Sequence, residues 1–346
     1  MPSPSEPTAL DRARAAVARG LGRLPSALLT RLAGGPVEVE GQRLDPALAL
    51  LFRLNPRDDA GRQLRERPVR SRRRLRREAL ALTGPARPVG EVRDLTVDGA
   101  DGPLAARLYT PADADPAPLV VFFHGGGYVE GDLDTHDGPC RVLCREARQP
   151  VLSVAYRLAP EHPFPAAVDD ALAAFRWAQR HHGPGVAVGG DSAGGQLAAV
   201  VAQAARDERP PVAQLLIYPA TDPGTDRPSR HLFDGWLLPE ALRAAYFDVY
   251  TRGTGAGASD PRLAPLRAER LDGLAPALVV TAGFDVLRDE GEAYAHALGA
   301  AGTPVALHRQ PDLTHGFLNL TSVSPAARRA TTALARRWRT FLAEHA

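Results

Sequence analysis

Ser192 lies inside the run GGDSAGG, residues 189–195. The run closes the apolar segment GVAVGG and opens an alanine-rich stretch, which places the serine on a sharp strand-to-helix turn. Such a turn forces strained backbone angles on the serine, and the small neighbours Gly190 and Gly194 permit the close approach it requires. The hydroxyl is pushed out at the carboxyl edge of a sheet, beside helix-start amides that favour negative charge. Taken alone, the pattern also fits a serine N-cap between packing glycines. A second cluster, HGGG at residues 124–127, follows the strand-like run LVVFF directly. Consecutive glycines let backbone N–H groups converge on one oxygen, so Gly125 and Gly126, with the amide of Ala193, would form an oxyanion hole.

A nucleophilic serine needs a base and an acid that orients the base, and here both should follow it, acid first, at later strand ends. Asp285 directly follows the strand-like ALVVTAGF, and His315 sits in the phrase DLTHGF before the last helical stretch. Asp289 and Asp312 compete for the acid's role, but Asp289 reads as a helix start with Glu290 and Asp312 is three residues from the histidine. Among the other histidines, His308 reads as a strand residue, and His181 and His182 as a solvated helix end.

The elements that must position these residues follow from periodicity. Residues 10–82 carry apolar positions every three or four residues, the mark of short amphipathic helices. Residues 92–109 read as two strands around a turn at Asp101 and Gly102. Beyond them, bounded apolar runs alternate with helix-length segments, which predicts an α/β fold with a mostly parallel central sheet flanked by helices. Between about residues 220 and 271 the rhythm breaks into a Gly/Pro-punctuated excursion holding the helical LPEALRAAYFDVY. An insertion of that size over a regular sheet reads as a lid or site-forming loop. The division expected is a helical cap region at 1–90 and a catalytic domain at 91–346, with the cap or lid excursion inside it.

Both glycine motifs together resemble the hormone-sensitive-lipase-like group of α/β-hydrolases, the bacterial family IV esterases. The resemblance runs over roughly residues 104–346 and includes the phrase YRLAPE at 156–161. It implies an α/β-hydrolase fold with a helical cap and a carboxylesterase acting on short- to medium-chain esters. It carries the nucleophile onto Ser192, the acid onto Asp285, the base onto His315 and the oxyanion donors onto Gly125, Gly126 and Ala193. Asp191 would steady the elbow. Tyr128 would line the substrate region, with Trp236, Leu237 and Leu238 as substrate-binding candidates and Leu29, Leu32 and Phe52 as further apolar ones, each of which could equally be cap core. The chain departs from the family where Val286 and Ala264 replace a usual proline and serine. An amidase or deacetylase with the same triad remains an alternative, as does a non-catalytic small-molecule receptor, which His315 disfavours.

The composition has no lysine, and the formal net charge is +2. Residues 62–77 hold nine arginines against the single acid Glu66, which makes the rest of the chain acidic. The arginines lack interleaved aromatics, so a solvated face or intramolecular ion pairs is the better reading than nucleic-acid or membrane binding. The first nine residues read as a short disordered tail and not a secretory signal. No apolar run is long enough for a membrane anchor. Cys140 and Cys144, spaced by three residues, make a poor metal site, and reduced thiols point to the cytoplasm. No cofactor and no metal is expected, the partner is a small-molecule ester, and a homodimer through an edge strand or the last helix stays open.

Overall fold

The computed structural model describes residues 6–55, 59–113, 117–183 and 185–346. Helices α1 (Ala9–Leu21) and α2 (Ser26–Leu32) come first, followed by a ribbon of β1 (Glu38–Val39) and β2 (Gln42–Arg43) that periodicity did not signal. Helices α3 (Pro46–Leu54), α4 (Ala60–Glu66) and α5 (Pro68–Leu82) complete the N-terminal region. Residues 1–5 of the expected tail lie outside the described residues, but its last part is ordered. Thr8 N-caps α1, exchanging hydrogen bonds with Asp11.

The hairpin forms as its turn residues dictate, β3 (Glu91–Gly99) pairing with β4 (Gly102–Thr110). Alternating strands and helices then follow: β5 (Leu119–Phe123), α6 (Asp137–Ala147), β6 (Val151–Val154), α7 (Ala166–His182), β7 (Val186–Asp191), α8 (Ala193–Ala204) and β8 (Gln214–Ile217). The excursion carries α9 (Pro228–Leu232) and α10 (Glu240–Tyr250). The chain closes with β9 (Ala277–Phe284), α11 (Arg288–Ala300), β10 (Val305–Thr314) and α12 (Pro325–His345).

Eight strands form one sheet in the order β10-β9-β8-β7-β5-β6-β4-β3. Only β4 runs opposite to the other seven strands, so the sheet is mostly parallel, as the βαβ rhythm requires. Alternation along β5 sends Val121 and Phe123 into one apolar layer and Val120 and Phe122 into the other. The first layer packs against α7, α8 and α11, the second against α6 and α12, where buried Trp338 donates its Nε1–H to Gln149 Oε1 at 2.8 Å. Strands β5, β7 and β9 are therefore buried on both faces, and their carboxyl ends open on one edge of the sheet.

The arginine segment forms α4 and α5 and grips the body below it. Arg72 on α5 makes two hydrogen bonds to Glu161, at 3.1 and 2.7 Å, and donates to the carbonyls of Val129 at 2.6 Å and Ala159 at 2.7 Å. Arg76 pairs with Asp132 and with Asp134, the latter at 2.6 Å, and Arg65 on α4 reaches Asp248 on α10 at 2.7 Å. Helix α4 packs on α10 at Gly61, where the backbone of Ala241 fills the space a side chain would need. An Arg72→Ala variant should leave the Val129 and Ala159 carbonyls without this donor and cost about 2 kcal/mol of stability. Urea denaturation of the two proteins, compared at equal pH, measures that loss.

Candidate active site

Ser192 has φ 57° and ψ −120°, the strained left-handed backbone that the elbow demands. Its N–H donates to Ile217 O at 2.9 Å, and its carbonyl accepts from Gln196 N at 3.1 Å and Ala220 N at 3.3 Å, so the turn is tied to β8 and α8. Gly194 is obligatory here because a Cβ would strike the Phe123 carbonyl at the end of β5.

His315 leaves the end of β10 and presents Nε2 2.9 Å from Ser192 Oγ, while its Nδ1 lies 2.7 Å from Asp285 Oδ2. Asp285 follows β9, and its other oxygen accepts the Leu287 N–H at 2.9 Å. With one carboxylate oxygen held by the backbone and the other by the ring, the imidazole is oriented toward the serine. Gly316 adopts φ 68°, which turns the chain away immediately after the histidine. The competing acids lie elsewhere: Asp289 accepts from Ser229 N at 2.9 Å and from Arg288 Nε at 2.9 Å, and the Asp312 carbonyl accepts from Asp45 N at 2.8 Å. His308 lies on β10, and the His181 ring stacks on Trp177 at 4.2 Å.

The three backbone donors named from sequence do not have equal standing. The Gly125 N–H donates to Asp191 Oδ1 at 2.9 Å. The amides of Gly126 and Ala193 carry no hydrogen bond to any described residue, and both line the pocket over Ser192. Asp191 is buried, which pushes its carboxyl up. His136 beside it, 3.4 Å from Oδ1, and the Gly125 N–H outweigh that penalty and hold it below the usual carboxylate range. His124 is pulled down to about 4, by burial first and His136 second, so at neutral pH it is uncharged. Its ring stacks on Tyr156 at 4.4 Å, and Tyr156 Oη donates to the His124 carbonyl at 2.6 Å, bracing the start of the glycine loop.

Sequence reasoning missed Tyr218, which follows β8 at φ 36° with its ring 4.6 Å from His315 and its hydroxyl 3.4 Å from Asp191 Oδ2. It wedges between base and elbow, and only its place at a strand end hinted at this. His136, the N-cap residue of α6, also lines the pocket.

Of the substrate-binding candidates, Tyr128, Leu237 and Leu238 line the pocket. Trp236 does not line it: its ring packs edge-on against Phe52 of α3 at 6.4 Å and Phe284 of β9 at 6.1 Å. Leu29 packs with Ala47 and Leu50, and Leu32 is exposed. The unforeseen lining comes from α10, through Leu242, Arg243, Tyr246 and Phe247, and from Leu75 of α5. The excursion is pinned beside it, since Glu290 accepts from the Thr221 and Asp222 amides at 2.8 and 3.2 Å and pairs with buried Arg230 at 2.9 Å.

A family model described as alpha/beta hydrolase fold matches residues 120–319. The chain is 50% identical over 305 residues to the carboxylic ester hydrolase LipN of Mycobacterium tuberculosis, covering 83% of this chain and 80% of that protein. It is 39% identical over 266 residues to an ethyl acetate hydrolase of Pseudomonas putida, covering 73% and 84% of the two chains. A solved ester hydrolase from the Lake Arreo metagenome superposes with TM-score 0.80 at 38% identity, over 86% of this chain and 98% of that one.

Because the folded Asp191 carboxyl is depressed, its ionised form contributes stability fully above the unfolded value of about 3.9, and that contribution is lost as pH falls through the lower folded value. The stability gap between wild type and Asp191→Asn should therefore be wider at pH 7 than at pH 3. Chemical denaturation across that range checks the sign.

Proposed function

This chain belongs to the alpha/beta hydrolase fold family and, within it, to the hormone-sensitive-lipase-like (bacterial family IV) esterases, and from that premise we propose that Ser192, His315 and Asp285 carry its reaction. The enzyme is a carboxylesterase, a serine carboxylic ester hydrolase. The observation that supports the residue assignment most is the unbroken relay from Asp285 Oδ2 through His315 to Ser192 Oγ, at 2.7 and 2.9 Å.

His315 takes the Ser192 proton as the hydroxyl attacks the ester carbonyl, and Asp285 stabilises the imidazolium that results. The tetrahedral oxyanion is met by the Gly126 and Ala193 amides, each such donor being worth about 3 kcal/mol. The Gly125 amide acts at one remove, since its bond to Asp191 holds the glycine loop against the elbow. His315 then returns its proton to the departing alcohol, and a water that it activates cleaves the acyl-enzyme.

The substrates in this reading are short- to medium-chain esters. The apolar lining from Leu238, Leu242 and Phe247 supports it, as does the relative named ethyl acetate hydrolase. Residues 1–90 and the excursion at about 220–271 serve as a cap over the catalytic domain of residues 91–346. A cytoplasmic site of action is supported by two free, buried thiols, Cys140 and Cys144, the second pushed up to about 12 by burial. No helix among the described residues is long and apolar enough to cross a membrane. Self-pairing into a homodimer would use an edge strand of the sheet, β10 or β3, or the last helix, α12.

Ser192→Ala should lower kcat by about a millionfold and Asp285→Asn by about ten-thousandfold, with unchanged circular dichroism. Steady-state hydrolysis of p-nitrophenyl butyrate provides the measurement. Persistence of wild-type turnover in folded Ser192→Ala would remove the assignment.

A further inference from the structure

A second cavity lies beside the catalytic pocket, and the two have one lining residue in common, Leu237. Helices α1, α3 and α5 supply its apolar surface, through Ala15, Ala18, Leu51, Phe52, Ala81 and Leu82. Its charged members do not call for an ionic ligand. Asp11 accepts from Thr8 N at 2.9 Å and faces Arg77 at 3.5 Å, Arg74 pairs with Glu78 at 2.7 Å, and Arg14 is exposed.

Leu237 stands between the two spaces on a fixed backbone. Asp234 Oδ1 accepts from both Gly235 N and Glu240 N at 2.8 Å, which closes the loop around it. The residue before Leu237, Trp236, is itself wedged between Phe52 and Phe284. The Leu237 side chain occupies the space where a Cβ on Gly316 would sit, so the partition adjoins the residue that follows His315. Leu237 thus abuts Gly316, next to His315, and also lines the second cavity.

We infer that Leu237 sets the chain-length limit by separating the catalytic pocket from the second cavity, which would take the end of a longer alkyl chain once that residue is removed. The inference rests on the ester-hydrolysis reading above and deepens it. The occupant is the unbranched alkyl chain of the ester, and the side of the ester it comes from is a matter for the test.

The experiment compares kcat/KM for p-nitrophenyl decanoate against butyrate, and for decyl acetate against ethyl acetate, in wild type, Leu237→Ala and Leu237→Ala/Ala18→Leu. Opening the partition should raise the long-to-short ratio by roughly tenfold or more, the scale of discrimination that apolar pocket contacts provide. Refilling the cavity from Ala18 should return the ratio toward wild type. A gain in the p-nitrophenyl series assigns the subsite to the acyl chain, and a gain in the acetate series assigns it to the alcohol chain. An unchanged ratio in both series, or a gain that survives Ala18→Leu, overturns the inference. Leu237→Val, expected to shift the ratio less but in the same direction, keeps the test decisive if the alanine variant does not fold. Hydrolysis that persists in Ser192→Ala would defeat the serine mechanism instead, independently of these ratios.

Discussion

Backbone contact among β7, α8 and the end of β5 is the constraint on which the site depends. Ser192 sits at φ 57°, a conformation that costs a non-glycine residue about 1–3 kcal/mol and persists only when its surroundings over-determine it. Here they do: the Ser192 N–H is held by β8, its carbonyl by α8 and Ala220, and Gly194 lies against the Phe123 carbonyl. The same approach brings the residue before the serine within hydrogen-bond reach of the first glycine after β5. Elbow and glycine loop are thus set by one contact, and a change that pushed β5 from β7 would displace Ser192 and the amides of the glycine loop together.

Charge is distributed to match that geometry. Asp191 and Asp285 are both buried at the sheet edge, and each is held by a backbone N–H and a histidine ring. Farther out, the basic segment that gives the chain its small positive total is the complement of an acidic body. Arg65, Arg72 and Arg76 reach Asp248 on α10, Glu161 in the loop after β6, and Asp132 and Asp134 in the loop after β5. The planar guanidinium suits this task, since Arg72 serves a carboxylate and two carbonyls at once. The excess of arginine in residues 62–77 therefore fastens helices α4 and α5 over the pocket that Leu75 helps to line.

What was readable in the sequence was whatever depends on local backbone demands. Glycines at 190 and 194 announced the elbow, the triplet at 125–127 announced the tight loop after β5, and apolar runs bounded by turns gave the parallel strands. Asp285 and His315 could be chosen because each follows a strand-like run in the right order. Relations across the fold were not readable. That Asp191 would claim the Gly125 amide, that Tyr218 would wedge against His315, and that Trp236 would pack against α3 while Leu237 beside it lines the pocket are all products of tertiary contact. Periodicity sees α10 as an amphipathic helix, but only its docking on α4 shows that Leu242 and Phe247 face the catalytic pocket.

Covalent trapping tests the central claim most directly. A p-nitrophenyl alkylphosphonate should phosphonylate the nucleophile, releasing p-nitrophenol as the serine oxygen bonds to phosphorus, and peptide mass spectrometry then locates the adduct. The account predicts one adduct per chain, on Ser192, appearing in step with the loss of ester hydrolysis. Inactivation with the adduct on another residue, or full modification of Ser192 with hydrolysis retained, would contradict it.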